Sequence, residues 1–112
     1  MSQLTTHVLD TALGKPAEGV PIILFTGQAD SWQETASGIT NHDGRILDLL
    51  SGGILLASGM YKLSFFTQAY FDRLSIITFY PYVEIVFKID SPAHYHIPLL
   101  ISPFGYTTYR GS

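Results

Sequence analysis

Apolar and polar residues alternate at every second position through short stretches of this chain, and clusters of Gly, Pro, Ser, Asn and Asp separate the stretches. Alternation of period two marks strands, because successive side chains on a strand point to opposite faces. LTTHVLD (4–10), VPIILFTG (20–27), DSWQETASGIT (30–40), a short piece over 45–47, MYKLSFFT (60–67), YVEIVFKID (82–90), YHIPLLIS (95–102) and GYTTYRG (105–111) read as eight strands. That number of short strands predicts an all-β, eight-stranded β-sandwich.

One segment departs from the pattern. TQAYFDRLSI (67–76) has no Gly or Pro, and Phe71, Leu74 and Ile77 recur at three-residue spacing, which predicts one short amphipathic α-helix. NHDG (41–44) and SPFG (102–105) are turn sequences, the second closing a hairpin, while ALGKPAEG (12–19) reads as an ordinary loop. With no internal repeat and no low-complexity linker, residues 1–112 read as a single domain.

Alternation also sorts side chains by face. In HYHIPLLIS, Tyr95, Ile97, Leu99 and Ile101 form an apolar face, so His94, His96, Pro98 and Leu100 point away from it. In LTTHVLD, Leu4, Thr6 and Val8 face inward and Thr5, His7 and Leu9 outward. In YVEIVFKID, Val83, Ile85, Phe87 and Ile89 face inward and Glu84, Val86, Lys88 and Asp90 outward. Leu9, Val86, Pro98 and Leu100 would then lie beside the histidines, and a patch of that kind marks an interface carrying titratable groups.

Composition narrows the function classes. A net charge of −3 argues against a nucleic-acid partner, which leaves a basic stripe on the proteins that bind it. The absence of cysteine excludes thiolate zinc sites, iron–sulfur clusters and a cysteine nucleophile. The amino terminus lacks the basic and apolar regions of a secretory signal, and no apolar run approaches the ~18 residues of a membrane helix, so no membrane partner is expected and a cytoplasmic location is the default. SGG (51–53) and ASG (57–59) lack the lysine and spacing of a phosphate loop, and no G-x-S-x-G elbow offers a serine nucleophile.

The chain closes on GYTTYRGS (105–112), a hydroxyl-rich, strand-like segment that runs into its own carboxylate. Terminal residues fray unless something ties them down. This one has the composition of a segment that is tied down.

HVLDTALGKPA (7–17), GITNHDGR (38–45), FYPYVEIVF (79–87) and HYHIPLLISPFGYTTYRGS (94–112) together resemble the transthyretin-related proteins, specifically their 5-hydroxyisourate hydrolase branch. The resemblance runs nearly end to end, and the closing Tyr109-Arg110-Gly111-Ser112 is the feature that separates that branch from the hormone carrier transthyretin. It implies a transthyretin-like sandwich with one short helix, assembled as a homotetramer around a channel. It further implies hydrolysis of a small purine-derived substrate, 5-hydroxyisourate, in urate degradation, without metal or organic cofactor. The family's active-site residues fall on His7, Arg45, His96 and Ser112.

Those side chains suit the reaction. An imidazole with an ordinary pKa near ~6.5 can accept a proton from attacking water, so His7 or His96 is the candidate base. Arg45 stays cationic and can stabilise negative charge that develops on a urate-like oxygen. The hydroxyl or the carboxylate of Ser112 can orient an imidazole. Tyr109 ranks below these four as a substrate-binding residue, by stacking or through its hydroxyl. His94, on the same face as His96, has a supporting role at most, and His42 is a loop residue.

Each residue has a plainer reading. A single outward histidine is more often a surface residue than a catalyst, and Arg45 after NHDG suits a solvated turn making a weak ion pair. Phe65, Phe66, Phe79, Tyr80 and Tyr82 are explained by core and interface packing. His94-x-His96 with His7 invites a zinc site, but Arg45 would be an awkward neighbour for a catalytic cation, so metal binding would be adventitious. The rival function is a non-enzymatic, transthyretin-like carrier of a small aromatic ligand in the channel. A structural sandwich whose patch only assembles an oligomer is a weaker third.

Overall fold

In the computed structural model, which describes residues 2–112, strands pair into two sheets with one short helix outside them. The strands are β1 (Leu4–Asp10), β2 (Lys15–Pro16), β3 (Pro21–Gln28), β4 (Ser31–Ile39), β5 (Arg45–Ile46), β6 (Gly59–Phe65), β7 (Val83–Ile89), β8 (Tyr95–Ser102) and β9 (Gly105–Thr108), and the helix is α1 (Gln68–Arg73). One sheet runs β2-β1-β8-β9, with β5 also paired to β1; the other runs β4-β3-β6-β7. The apolar faces read from alternation meet between them: Leu4 and Val8 on β1, Ile22 and Leu24 on β3, and Leu63 and Phe65 on β6 are fully enclosed. Burying such side chains stabilises the sandwich by roughly 1.5–3 kcal/mol each.

Four details differ from the expectations. ALGKPAEG is not all loop, because Lys15 and Pro16 pair with Asp10 and Leu9 as β2, so the sandwich has nine strands among the described residues. The helix is shorter than 67–76. It buries Tyr70 and Phe71, then closes where Leu74 and Ile76 both donate to the Phe71 carbonyl and Ser75 turns left-handed at φ 58°, leaving Ile77 exposed. The last strand stops at Thr108 and resumes as a single bridge between His96 and Gly111. Between those points it faces Pro98, which has no N–H to give, and the Thr108 hydroxyl donates to the Pro98 carbonyl instead. Finally, Val86 lies on β7 in the opposite sheet, so it is not beside the histidines, whereas Leu9, Pro98 and Leu100 are on the histidine-bearing sheet. Alternation separates the two faces of a strand; it does not say which sheet the strand joins.

The hairpin at SPFG forms as expected, with Ser102 paired to Gly105. No helix among the described residues is long and apolar enough to cross a membrane.

Candidate active site

Four chain segments, β1, β8, the turn that carries Arg45 and the tail, bring the predicted residues together at one sheet. The first relationship is parallel pairing of β1 with β8, which sets Thr5 opposite His96 and His7 opposite Pro98. Partners in a parallel register share a face, so Thr5, His7, His94 and His96 all project outward while Leu4, Thr6, Tyr95 and Ile97 pack inward.

Arg45 arrives through the turn before it. The Asn41 side-chain oxygen accepts from the backbone N–H groups of Asp43 and Arg45, and Gly44 donates to the Asn41 carbonyl. Gly44 sits at φ +75°, and a Cβ there would overlap the Val8 carbonyl oxygen, so only glycine lets the turn approach β1 this closely. Val8 donates to the Gly44 carbonyl at 2.7 Å, and Arg45 is thereby paired with His7. The turn residue is thus anchored rather than loose.

The last segment is the tail. Gly111 donates its N–H to the His96 carbonyl at 2.8 Å, which brings Ser112 to the cleft that His96 lines. Thr5, Thr6, Arg45, Leu47, His94, His96 and Ser112 line one open cleft of about 240 Å³. His7 is not in that lining; it is paired with Arg45 and lies two residues along β1 from Thr5, on the same face.

The electrostatics follow from this crowding. Partial burial, then the Arg45 guanidinium, hold the His7 imidazole below its ordinary pKa, only partly offset by Asp43. Burial likewise lowers His96, followed by Arg45, His7 and His94. Both rings are therefore neutral at neutral pH, the form that accepts a proton. His96 is held on its other side, its Nδ1 2.8 Å from the Thr5 hydroxyl, and its ring is 6.4 Å from that of His94 at an interplanar angle of 18°.

His7, Arg45, His96 and Ser112 are thus brought together within one protomer. Tyr109 is not with them: it lines a separate cavity of about 400 Å³ with Ile85, Phe87, Tyr95 and Ile97. The neighbouring Arg110 stacks over Tyr95 at 4.3 Å from the ring centroid. His42 is exposed in its turn, 3.4 Å from Asp43. Thr5 is the residue that the sequence reading passed over. Alternation turns it outward, but its place opposite His96 depends on the strand register, which no local pattern reports. Among the described residues, no three His, Asp or Glu side chains form a metal-binding group.

The fold and cleft define a transthyretin-type sandwich with an imidazole–guanidinium cluster on one sheet. Residues 4–111 match the model of the HIUase/Transthyretin family, and the chain belongs to that family. The 5-hydroxyisourate hydrolase of Mus musculus is 47% identical, over 99% of this chain and 96% of its own. The structure of 5-hydroxyisourate hydrolase from Klebsiella pneumoniae superposes with a TM-score of 0.86 at 38% identity, covering 97% of this chain and 98% of that one. Sea bream transthyretin in complex with thyroxine superposes with a TM-score of 0.91 at 32% identity, covering 98% of this chain and 95% of the other. The backbone is therefore shared by a hydrolase and by a hormone-binding protein, and the fold by itself does not separate the two activities.

Proposed function

We propose that this protein hydrolyses 5-hydroxyisourate to 2-oxo-4-hydroxy-4-carboxy-5-ureidoimidazoline, as a single-domain, cytoplasmic homotetramer of urate degradation. The observation that carries this reading is the convergence of Arg45, His96 and Ser112 at one cleft, with His7 paired to Arg45 beside it. A site that only held an aromatic ligand would have no use for two neutral imidazoles beside a fixed cation.

The chemistry balances without a cofactor. A neutral imidazole, His7 or His96, takes a proton from water as its oxygen bonds to the ring carbonyl carbon. Arg45 stabilises the negative charge that accumulates on the carbonyl oxygen. The carbon–nitrogen bond then breaks, the nitrogen takes the proton back from the imidazolium to become part of the ureido group, and the carbon is left as a carboxylic acid that releases its remaining proton to solvent. Ser112 lines the cleft together with His96, where it can hold the ring or the substrate.

A carrier of a small aromatic ligand is the second reading, favoured by the superposition on the thyroxine complex. One assay separates them. Uricase generates the unstable intermediate from urate, and its decay is followed spectrophotometrically with and without this protein. Acceleration that His7→Ala, Arg45→Ala and His96→Ala each abolish, with the fold intact, is the expected result. No acceleration by the unaltered protein would refute the hydrolase reading and favour the carrier.

A further inference from the structure

The Thr5 hydroxyl stands between two imidazoles, with His96 Nδ1 at 2.8 Å and His94 Nε2 at 3.0 Å. Its place is set by the backbone, since Thr5 is the register partner of His96 on β1. A hydroxyl has a single proton to donate, so the three groups are not independent. If Thr5 donates to His96, then His94 must donate to Thr5 and neutral His96 carries its proton on Nε2. If Thr5 donates to His94, then His96 must donate from Nδ1 and its Nε2 is left with a bare lone pair.

Two features select the second arrangement. Arg45, which lines the cleft with His96, offers only donors. A lone pair on His96 Nε2 supplies the acceptor that an attacking water needs. The Arg45 cation also favours a ring that turns a lone pair, rather than an N–H, toward the cleft.

We propose that Thr5 is a positioning residue that donates to His94 and accepts from His96 Nδ1, thereby fixing His96 in the tautomer whose Nε2 is the general base. This rests on the hydrolase reading for its consequence, though not for its geometry. His94 then has a defined part, as the acceptor that orients the Thr5 proton. No proton crosses Thr5 during turnover: water gives its proton to His96 Nε2, and the leaving nitrogen receives that proton back. The hydroxyl's contribution is to keep Nε2 free at the start of each cycle.

Long-range proton–nitrogen correlation spectra of the ¹⁵N-labelled full chain, recorded where the imidazoles are neutral, read the tautomer directly. The unaltered protein is expected to show His96 protonated on Nδ1. Thr5→Val removes the hydroxyl at nearly constant shape, and His94→Phe removes the acceptor while keeping a ring; each is expected to move the His96 proton to Nε2. Thr5→Ser keeps the hydroxyl and is expected to keep Nδ1–H. In the uricase-coupled assay Thr5→Val should lower kcat about 10- to 100-fold with KM within about twofold, and Thr5→Ser should stay within about threefold of the unaltered protein. Nε2–H in the unaltered protein, or an unchanged tautomer in folded Thr5→Val, would overturn the proposal. Because the spectra are taken without substrate, the expected tautomer switch in a protein that does not hydrolyse would sink the enzymatic reading and leave the Thr5 assignment standing.

Discussion

Gly111 lies against the His96 imidazole so closely that a Cβ added to it would sit 2.6 Å from His96 Cδ2, while its N–H holds the His96 carbonyl at 2.8 Å. The tail thus fixes the edge of the ring opposite the one that Thr5 holds. Gly111→Ala is expected to push the imidazole off its position, because the contact is tighter than real side chains tolerate. Turnover should fall at least about 10-fold, since a small misplacement of a catalytic group is costly. The melting temperature should change little, as the bridge lies at the end of the chain. Full activity in a crystal-verified Gly111→Ala protein would contradict this.

In the proposed mechanism Arg45 has two effects, on the charge of the transition state and on the state of the histidines. Its field lowers the pKa of His7 and of His96. Arg45→Gln removes that field, so both native values rise and the acid limb of kcat/KM moves to higher pH. Arg45→Lys keeps the charge and should leave the limb near its original place. Both variants lose the planar two-pronged donor, and kcat is expected to drop about 10²-fold or more. A pH–rate series on the two variants checks this; His7 and His96 titrate as a coupled pair, so the limb reports the pair.

The same shifts make stability depend on pH. Above the unfolded-state value of about 6.5 both imidazoles are neutral whether the chain is folded or not, and they contribute no pH dependence. Below it the unfolded chain takes up protons first, because the native pKa values are depressed. Unfolding free energy should therefore fall as pH drops from about 6.5, and level off for these groups once the native values are passed. Urea titrations from pH 7.5 downward should show this loss, with a smaller slope in His7→Asn/His96→Asn. Equal slopes in the two proteins would mean that other groups carry the acid sensitivity.

Behind the site, buried Asp10 closes β1 by accepting the N–H groups of Ala12 and Leu13 and the Tyr70 hydroxyl at 2.7 Å. That last bond ties the helix to the sheet that carries the cleft. Its burial and its Asp10 partner push the Tyr70 phenol upward, so it remains a donor at any working pH. Tyr70→Phe is expected to cost about 1.5–3 kcal/mol in urea unfolding, the range for a bond to a charged acceptor. Its kcat should be retained, since Tyr70 does not touch the cleft. A loss of kcat without loss of stability would show that the helix contact acts on the site.

Local pattern alone carried the reading a long way. Alternation separated Tyr95, Ile97 and Leu99 from His94 and His96, and the structure buries the first set and leaves the second on the outer face. The NHDG turn and the SPFG hairpin are legible for the same reason: turn chemistry acts over a few residues. What alternation left undetermined was partnership. Val86 shows the outward pattern of Leu100, yet it belongs to the other sheet. Thr5 shows the pattern of any half-exposed threonine until β1 pairs with β8. The bond from Thr5 to His96 spans 91 residues, and no short-range preference encodes it. Register between distant strands is settled by how whole apolar faces pack, so the sequence by itself determined which side chains could face the cleft, and only the tertiary structure decided which of them meet there.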